Sequence, residues 1–312
     1  MNSEVLPVRE PRWRIWWRLA RPFSLTASIV PAAVGSAVAF ADGSFRSLPV
    51  LGAMLVASML IQVATNMFNE YYDYKRGLDT RDTVGIAGAI VRDDFHPLSV
   101  FAAAVGCFGV AFALGLWVAV QTGPIVFVIG IACALAGYLY TGGPVPVAYT
   151  PLGEVEVFFF MGPIMVGLFY FTQAGSVSPS AWWASAPVAC LVAAILLGNN
   201  LRDVAADARA GRSTLPIVVG RRIATGIYAG LALGAFAAVT LAVAGSSLPP
   251  SALLPVVTLG LAVRLIRLFH SHEAPGPLNQ GVRGSAALHA QFGLLLAVGI
   301  CLGRLFGWSA PL

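Results

Sequence analysis

Nine stretches of mostly apolar residues divide the chain, at roughly 22–41, 48–68, 98–120, 122–140, 152–172, 183–201, 222–244, 248–269 and 285–307. Each is about as long as a helix needs to cross a bilayer, roughly 20 residues. A chain that buries so much apolar sequence in lipid must satisfy its backbone within each segment, so the expected fold is all-α. Composition agrees: 58% of the 312 residues are hydrophobic and 11% charged, against about 25% charged in a soluble domain. No polar stretch is long enough for a soluble domain. The reading is one membrane-embedded domain over 1–312, a nine-transmembrane-helix bundle. Residues 1–21, basic and aromatic without a cleavable apolar core, form an interfacial lead-in.

The charges are laid out by side. With a cytosolic N-terminus, 17 of the 19 basic residues fall before the first span or around the loops after spans 2, 6 and 8, and only Arg46 and Arg304 fall outside. This is the positive-inside pattern. It explains the net charge of +5 without nucleic acid. Of the 14 acidic residues only Asp42 is assigned to the outer face. Acids gathering on the basic side mark a polar site there. The four cysteines lie far apart in apolar runs with no CxxC spacing, so they are packing residues. His270 and His272 lack a third ligand nearby and belong to a loop.

Two of the basic loops repeat. In "NMFNEYYDYKRGLDT" from residue 66, Asn66, Asp73, Gly77 and Thr80 stand at offsets 0, 7, 11 and 14; in "NLRDVAADARAGRST" from residue 200, Asn200, Asp207, Gly211 and Thr214 stand at the same offsets. Four spans lie between, an even number, so the repeat is parallel and both copies reach the same face. Helical spacing puts Asn66, Asn69 and Asp73 on one face, with Glu70 near it, and Asp203 and Asp207 on another. Gly77 and Gly211 can end each helix.

Two facing carboxylate clusters with amides and arginines suit a hard cation and a polyphosphate. Mg²⁺ takes oxygen ligands and is held by one or two carboxylates plus substrate phosphates. Arginine forks bind the remaining phosphate oxygens. The candidates for phosphate binding are Arg76, Arg92, Arg209 and Arg212, with Asn66, Asn69, Asn200 and Thr214 orienting ligands. Asp82, Asp93 and Asp94 read equally well as ordinary loop charges. "YLYTGGPVPVAYTPLGEVEVFFFMGP", residues 138–163, supplies an aromatic wall able to stabilise a carbocation.

The motif pair NxxNExxDxxxGxDT and NNxRDxxxDxxxGxxTLP resembles the UbiA superfamily of intramembrane prenyltransferases, over nearly the whole chain from "RPFSLTASIVPAAVGSAVA" through the last span. The segments "NEYYDYKRGLDT" and 138–163 resemble its 1,4-dihydroxy-2-naphthoate polyprenyltransferases. The resemblance implies a helical bundle around a central cavity, open sideways to lipid in a cell inner membrane. It implies Mg²⁺ bound by Glu70, Asp73, Asp79, Asp203 and Asp207, with Asp73, Asp203 and Asp207 as the catalytic acids. Its partners would be a polyprenyl diphosphate and an aromatic acceptor. The sequence departs from the common family pattern at Glu70, which replaces an aspartate, at Gly77, which leaves Asp79 as the next carboxylate, and at Arg212, where lysine is common. A transporter would carry charges near the bilayer midplane, and a CDP-alcohol phosphotransferase would carry a DGxxAR start; neither is present. The rival acceptors are 4-hydroxybenzoate and a glycerol-phosphate lipid.

Overall fold

The computed structural model describes residues 10–78 and 88–308. Its helices in chain order are α1 (Arg12–Leu19), α2 (Thr26–Ala41), α3 (Leu48–Lys75), α4 (Pro97–Thr122), α5 (Pro124–Thr141), α6 (Gly153–Phe159), α7 (Met165–Ala174), α8 (Pro179–Arg209), α9 (Leu215–Val219), α10 (Arg221–Ala244), α11 (Leu259–Ser271) and α12 (Pro275–Leu305). Among the described residues there is no strand, and nine helical spans are long and apolar enough to cross a membrane. The chain is a multi-pass membrane protein.

Local chemistry sets the span boundaries. Ser47 and Ser178 cap α3 and α8 by accepting from Val50 N and Ala181 N at 3.3 and 3.2 Å. Pro124 starts α5 directly after Gly123, whose φ of 116° no other residue adopts easily. That pair is the physical content of the break at "QTGP". A π-helical turn, Phe160–Ile164, joins α6 to α7 around Pro163, which has no N–H to donate.

α2 lies in the middle of the bundle, packed on α7, α8 and α12. A Cβ at Gly35 would stand 2.5 Å from the Val166 carbonyl, and one at Gly293 2.1 Å from Val30. Small residues let these backbones close up where lipid offers no hydrophobic drive for helix association. α4 and α5 turn Val105, Phe112, Trp117, Val128 and Leu135 outward, as lipid-facing helices do. α1 buries Ile15 and Leu19 and exposes Trp13 and Trp17, and Arg18 bonds Glu10 and Asp93. The segment is amphipathic and pinned to the loop before α4.

Two helices run past their apolar windows. α3 continues to Lys75 and α8 to Arg209, beyond the expected ends at 68 and 201. α12 starts at Pro275, before the expected 285. Hydropathy falls at the first polar residues, but the hydrogen-bond ladder does not need apolar side chains. These extensions carry both repeated motifs.

Candidate active site

Both extensions end in the same way. Gly77 N bonds Tyr74 O at 2.9 Å and Leu78 N bonds Asp73 O at 2.9 Å; Gly211 N bonds Ala208 O at 3.1 Å and Arg212 N bonds Asp207 O at 2.9 Å. Both glycines have φ of 71°. Each end is a Schellman cap, and in each the aspartate of the repeat supplies the carbonyl that closes the longer bond. The sequence repeat is therefore also a repeat of backbone geometry.

Arg212 joins the two copies. One amino group of its guanidinium donates to Asp73 Oδ1 at 2.6 Å and the other to Asp207 Oδ1 at 3.1 Å. Burial works against its charge, but the Asp73 and Asp207 carboxylates outweigh burial and hold its pKa above the ordinary arginine value. Its guanidinium lies 4.7 Å from the Tyr149 ring centre. On the same ring, at 5.1 Å, lies Arg76, which also donates to Thr141 O and Gly143 O at 2.5 and 3.1 Å. Ser213 N bonds Tyr149 O at 2.9 Å. The 142–152 loop is thereby held over the clamp between two arginines.

The rest of the first motif fastens other segments around Asp73. Asn66 Nδ2 donates to Ala20 O and Ser24 Oγ. Asn69 Oδ1 accepts from Thr141 Oγ1 at 2.6 Å. Glu70, 2% exposed, accepts from Gly88 N and Ile90 N at 3.3 Å each. Glu70, expected as a metal ligand, has both carboxylate oxygens on backbone N–H groups at the far side of the loop. Asp79 lies outside the described residues.

In the second motif, Asn200 Nδ2 donates to Glu154 Oε1 at 2.8 Å. Asp203 is held on both oxygens by its neighbour Arg202, at 2.8 and 2.5 Å, and Arg202 also reaches Asn279 on α12. Thr214 is buried at the N-cap of α9 and its Oγ1 has no partner. Arg209 folds back on Ala205 O, exposed. Arg92 is 46% exposed beside Asp93. The structure thus brings Asp73, Asp207, Arg212 and Arg76 together, and places Arg92 and Arg209 at the surface.

One cation was not read from the sequence. Arg21 lies close enough to Asp73, with Arg76 and Arg212, to act on its charge, and its buried Nε has no partner. Its signal was present but ambiguous: it was one of five basic residues before the first span, adjoining "PFSLTASIV".

The donor set fits a metal and a phosphate. Among the described residues no three His, Cys, Asp or Glu side chains form a ready-made metal cluster. Arg212, however, uses only Oδ1 of each aspartate, and neither Oδ2 has a hydrogen bond among the described residues. Two hard carboxylate oxygens from opposite halves suit an ion that completes its shell with water and substrate oxygens. Around them Arg21 Nε, Arg212 Nε and Thr214 Oγ1 are buried donors without acceptors. Phosphate oxygens would satisfy such donors.

Comparison with known proteins identifies the fold and the family. The chain is 38% identical over 304 residues to the 1,4-dihydroxy-2-naphthoate octaprenyltransferase of Bacillus subtilis, covering 96% of each. Its fold resembles the apo structure of a UbiA homologue from Aeropyrum pernix K1, with a TM-score of 0.68 at 16% identity over 89% of this chain and 97% of that one. It also resembles a UbiA homologue from Archaeoglobus fulgidus bound to DMAPP and Mg²⁺, with a TM-score of 0.60 at 17% identity over 91% and 99%. The UbiA prenyltransferase family matches residues 28–280, and the chain belongs to that family.

Proposed function

We propose that this chain transfers a polyprenyl group from its diphosphate to 1,4-dihydroxy-2-naphthoate, with loss of the carboxyl group as carbon dioxide, giving demethylmenaquinol, the reduced form of demethylmenaquinone. The observation that carries the reading is the Asp73–Arg212–Asp207 clamp ringed by unpaired donors. The acceptor rests on the near full-length similarity to the Bacillus subtilis enzyme.

Asp73 and Asp207 would hold Mg²⁺ through their second oxygens. The ion would supply Lewis-acid stabilisation of the departing diphosphate. Arg21, Arg76 and Arg212 bind phosphate oxygens and keep the anion from being repelled by the aspartates. Placing fixed cations where negative charge develops is the main catalytic effect such a site offers. Tyr149, locked between two arginines, closes the site toward its loop. The electron-rich ring then attacks the allylic carbon. Asp203 and Asn200 support the second motif from α8, and Asn66, Asn69 and Glu70 hold the first in place. Asp79 remains a further candidate acid of the first motif. Arg92 and Arg209 remain surface cations for recruiting anionic substrate. We place the charged end of the bundle and the N-terminus in the cytosol, with the protein in the cell inner membrane.

The test is product identity in membranes that contain this enzyme, Mg²⁺ and one polyprenyl diphosphate. Demethylmenaquinol from dihydroxynaphthoate, read as its quinone after oxidation in air, with carbon dioxide released and no reaction on 4-hydroxybenzoate, is expected. Prenylated 4-hydroxybenzoate and no naphthoate product would overturn the acceptor while leaving the family in place.

A further inference from the structure

Glu154 stands outside the clamp, yet it is only 5% exposed. Asn200 holds its Oε1 at 2.8 Å. The other oxygen, Oε2, is buried with no partner. An unpaired carboxylate oxygen in a dry interior is costly, and it is tolerated where a ligand completes it.

Its place in the fold says what that ligand brings. Asn200 lies seven residues before Asp207, about 10 Å along α8 at 1.5 Å per residue, and on the same helix face. Glu154, held by Asn200, therefore lies roughly 10 Å deeper along the bundle than the diphosphate clamp. Tyr140 lies beside Glu154: a Cβ at Gly153 would stand 3.6 Å from its hydroxyl, and the phenol lies within electrostatic reach of Glu154, Glu156, Asp207 and Arg212. Glu156 also buries an unpaired Oε2. Two carboxylates repel a diphosphate, so this place does not suit the donor's head group. These carboxylates suit instead the uncharged, hydroxyl-bearing edge of an aromatic ring, which donates hydrogen bonds to them while any charged substituent of the ring points away.

We infer that Glu154 Oε2 takes the ring-hydroxyl proton of the acceptor as the new bond forms. This rests on the acceptor reading above. The hydroxyl O–H bond breaks and its proton moves to Glu154. The released pair becomes the ring C=O, and a ring π pair forms the C–C bond to the prenyl C1. The C1–O bond breaks and its pair leaves with the diphosphate. Asn200 fixes the carboxylate by its other oxygen, which leaves Oε2 to face the acceptor.

The experiment compares Glu154→Gln and Glu154→Asp with wild type in membranes with Mg²⁺, reading dihydroxynaphthoate turnover and, separately, Mg²⁺-dependent binding of farnesyl diphosphate. Removing a positioned base costs about 100-fold or more. Glu154→Gln should show that loss with diphosphate binding within twofold of wild type. Glu154→Asp, which keeps the charge but shortens the reach, should exceed Glu154→Gln at least tenfold and raise KM for the acceptor alone. Where the amide variant does not accumulate, the aspartate variant carries the test: unchanged kcat and KM would overturn the inference. So would Glu154→Gln turnover within threefold of wild type, or turnover and diphosphate binding lost together. A wild-type protein that prenylates no hydroxylated aromatic sinks the acceptor reading and this inference together; wild-type turnover with an indifferent Glu154→Gln sinks only this one.

Discussion

Asp73 and Asp207 occupy the same position in two copies of one helix end, and a single arginine, Arg212, binds Oδ1 of both. Each aspartate also accepts, through its backbone carbonyl, the bond that closes its own Schellman cap. The helix end and the carboxylate are thus fixed by one set of contacts. A pair of acids 134 positions apart by numbering, 207 less 73, is held in register by a repeat that ends both helices alike.

Arg212→Gln should lower turnover by about 100-fold, the scale for removing one preorganised charge-stabilising donor. Arg212→Lys should recover only part of it. A lysine can reach one aspartate as a point charge but cannot fork between two. Steady-state kinetics in membranes check this, and equal activity of the lysine variant and wild type would show that the fork is not needed.

Gly77→Ala and Gly211→Ala force a side chain into φ near 71°, which costs about 1–2 kcal/mol. Each should lower the unfolding midpoint in detergent, and both should act alike because the two caps are equivalent. Thermal unfolding followed by scattering or tryptophan fluorescence reads the change. A drop in only one variant would mean that the caps are not energetically matched.

Glu70→Gln separates structure from metal binding. The amide has one acceptor oxygen where the carboxylate has two, so one of the bonds from Gly88 N and Ile90 N is lost. Losing a charge-assisted bond in a buried place costs about 1.5–3 kcal/mol. The loop after α3 should become more sensitive to protease, while the Mg²⁺ concentration at half-maximal turnover stays where it was. A large rise in that concentration would make Glu70 a metal ligand after all.

Reporter fusions at 145, 213 and 273 should all report the cytosol, because the connections after α5, α8 and α11 each follow an even number of spans. A split result among the three would contradict the shared face that brings Asp73 to Arg212.

The spans and the repeat were legible because both are local in sequence: apolar windows and matched offsets survive without tertiary knowledge. The ends of α3 and α8 were not legible from hydropathy, since the site residues themselves interrupt the apolar pattern; the glycines at 77 and 211 mark the true ends. Spacing placed Asn66, Asn69, Glu70 and Asp73 near one face, but it could not say that Glu70 meets backbone from across the loop or that Asn66 meets Ala20. Asp203 shares a face with Asp207, yet its neighbour Arg202 takes both its oxygens. The aromatic run likewise divides: Tyr149 sits between arginines, while Phe159 is 53% exposed on the lipid-facing side. Pairings between distant segments are decided by packing, and composition carries no record of them.

The most direct test of the central claim is Mg²⁺-dependent binding of a polyprenyl diphosphate to Asp73→Asn and Asp207→Asn, with Arg222→Gln as a control at an exposed position outside the site. Each asparagine keeps the shape but removes an anionic oxygen ligand. The account predicts that both variants insert normally, lose most Mg²⁺-dependent binding and turn over at a small fraction of the wild-type rate, while the control is unaffected. Near-normal Mg²⁺-dependent binding and turnover in either asparagine variant would contradict it.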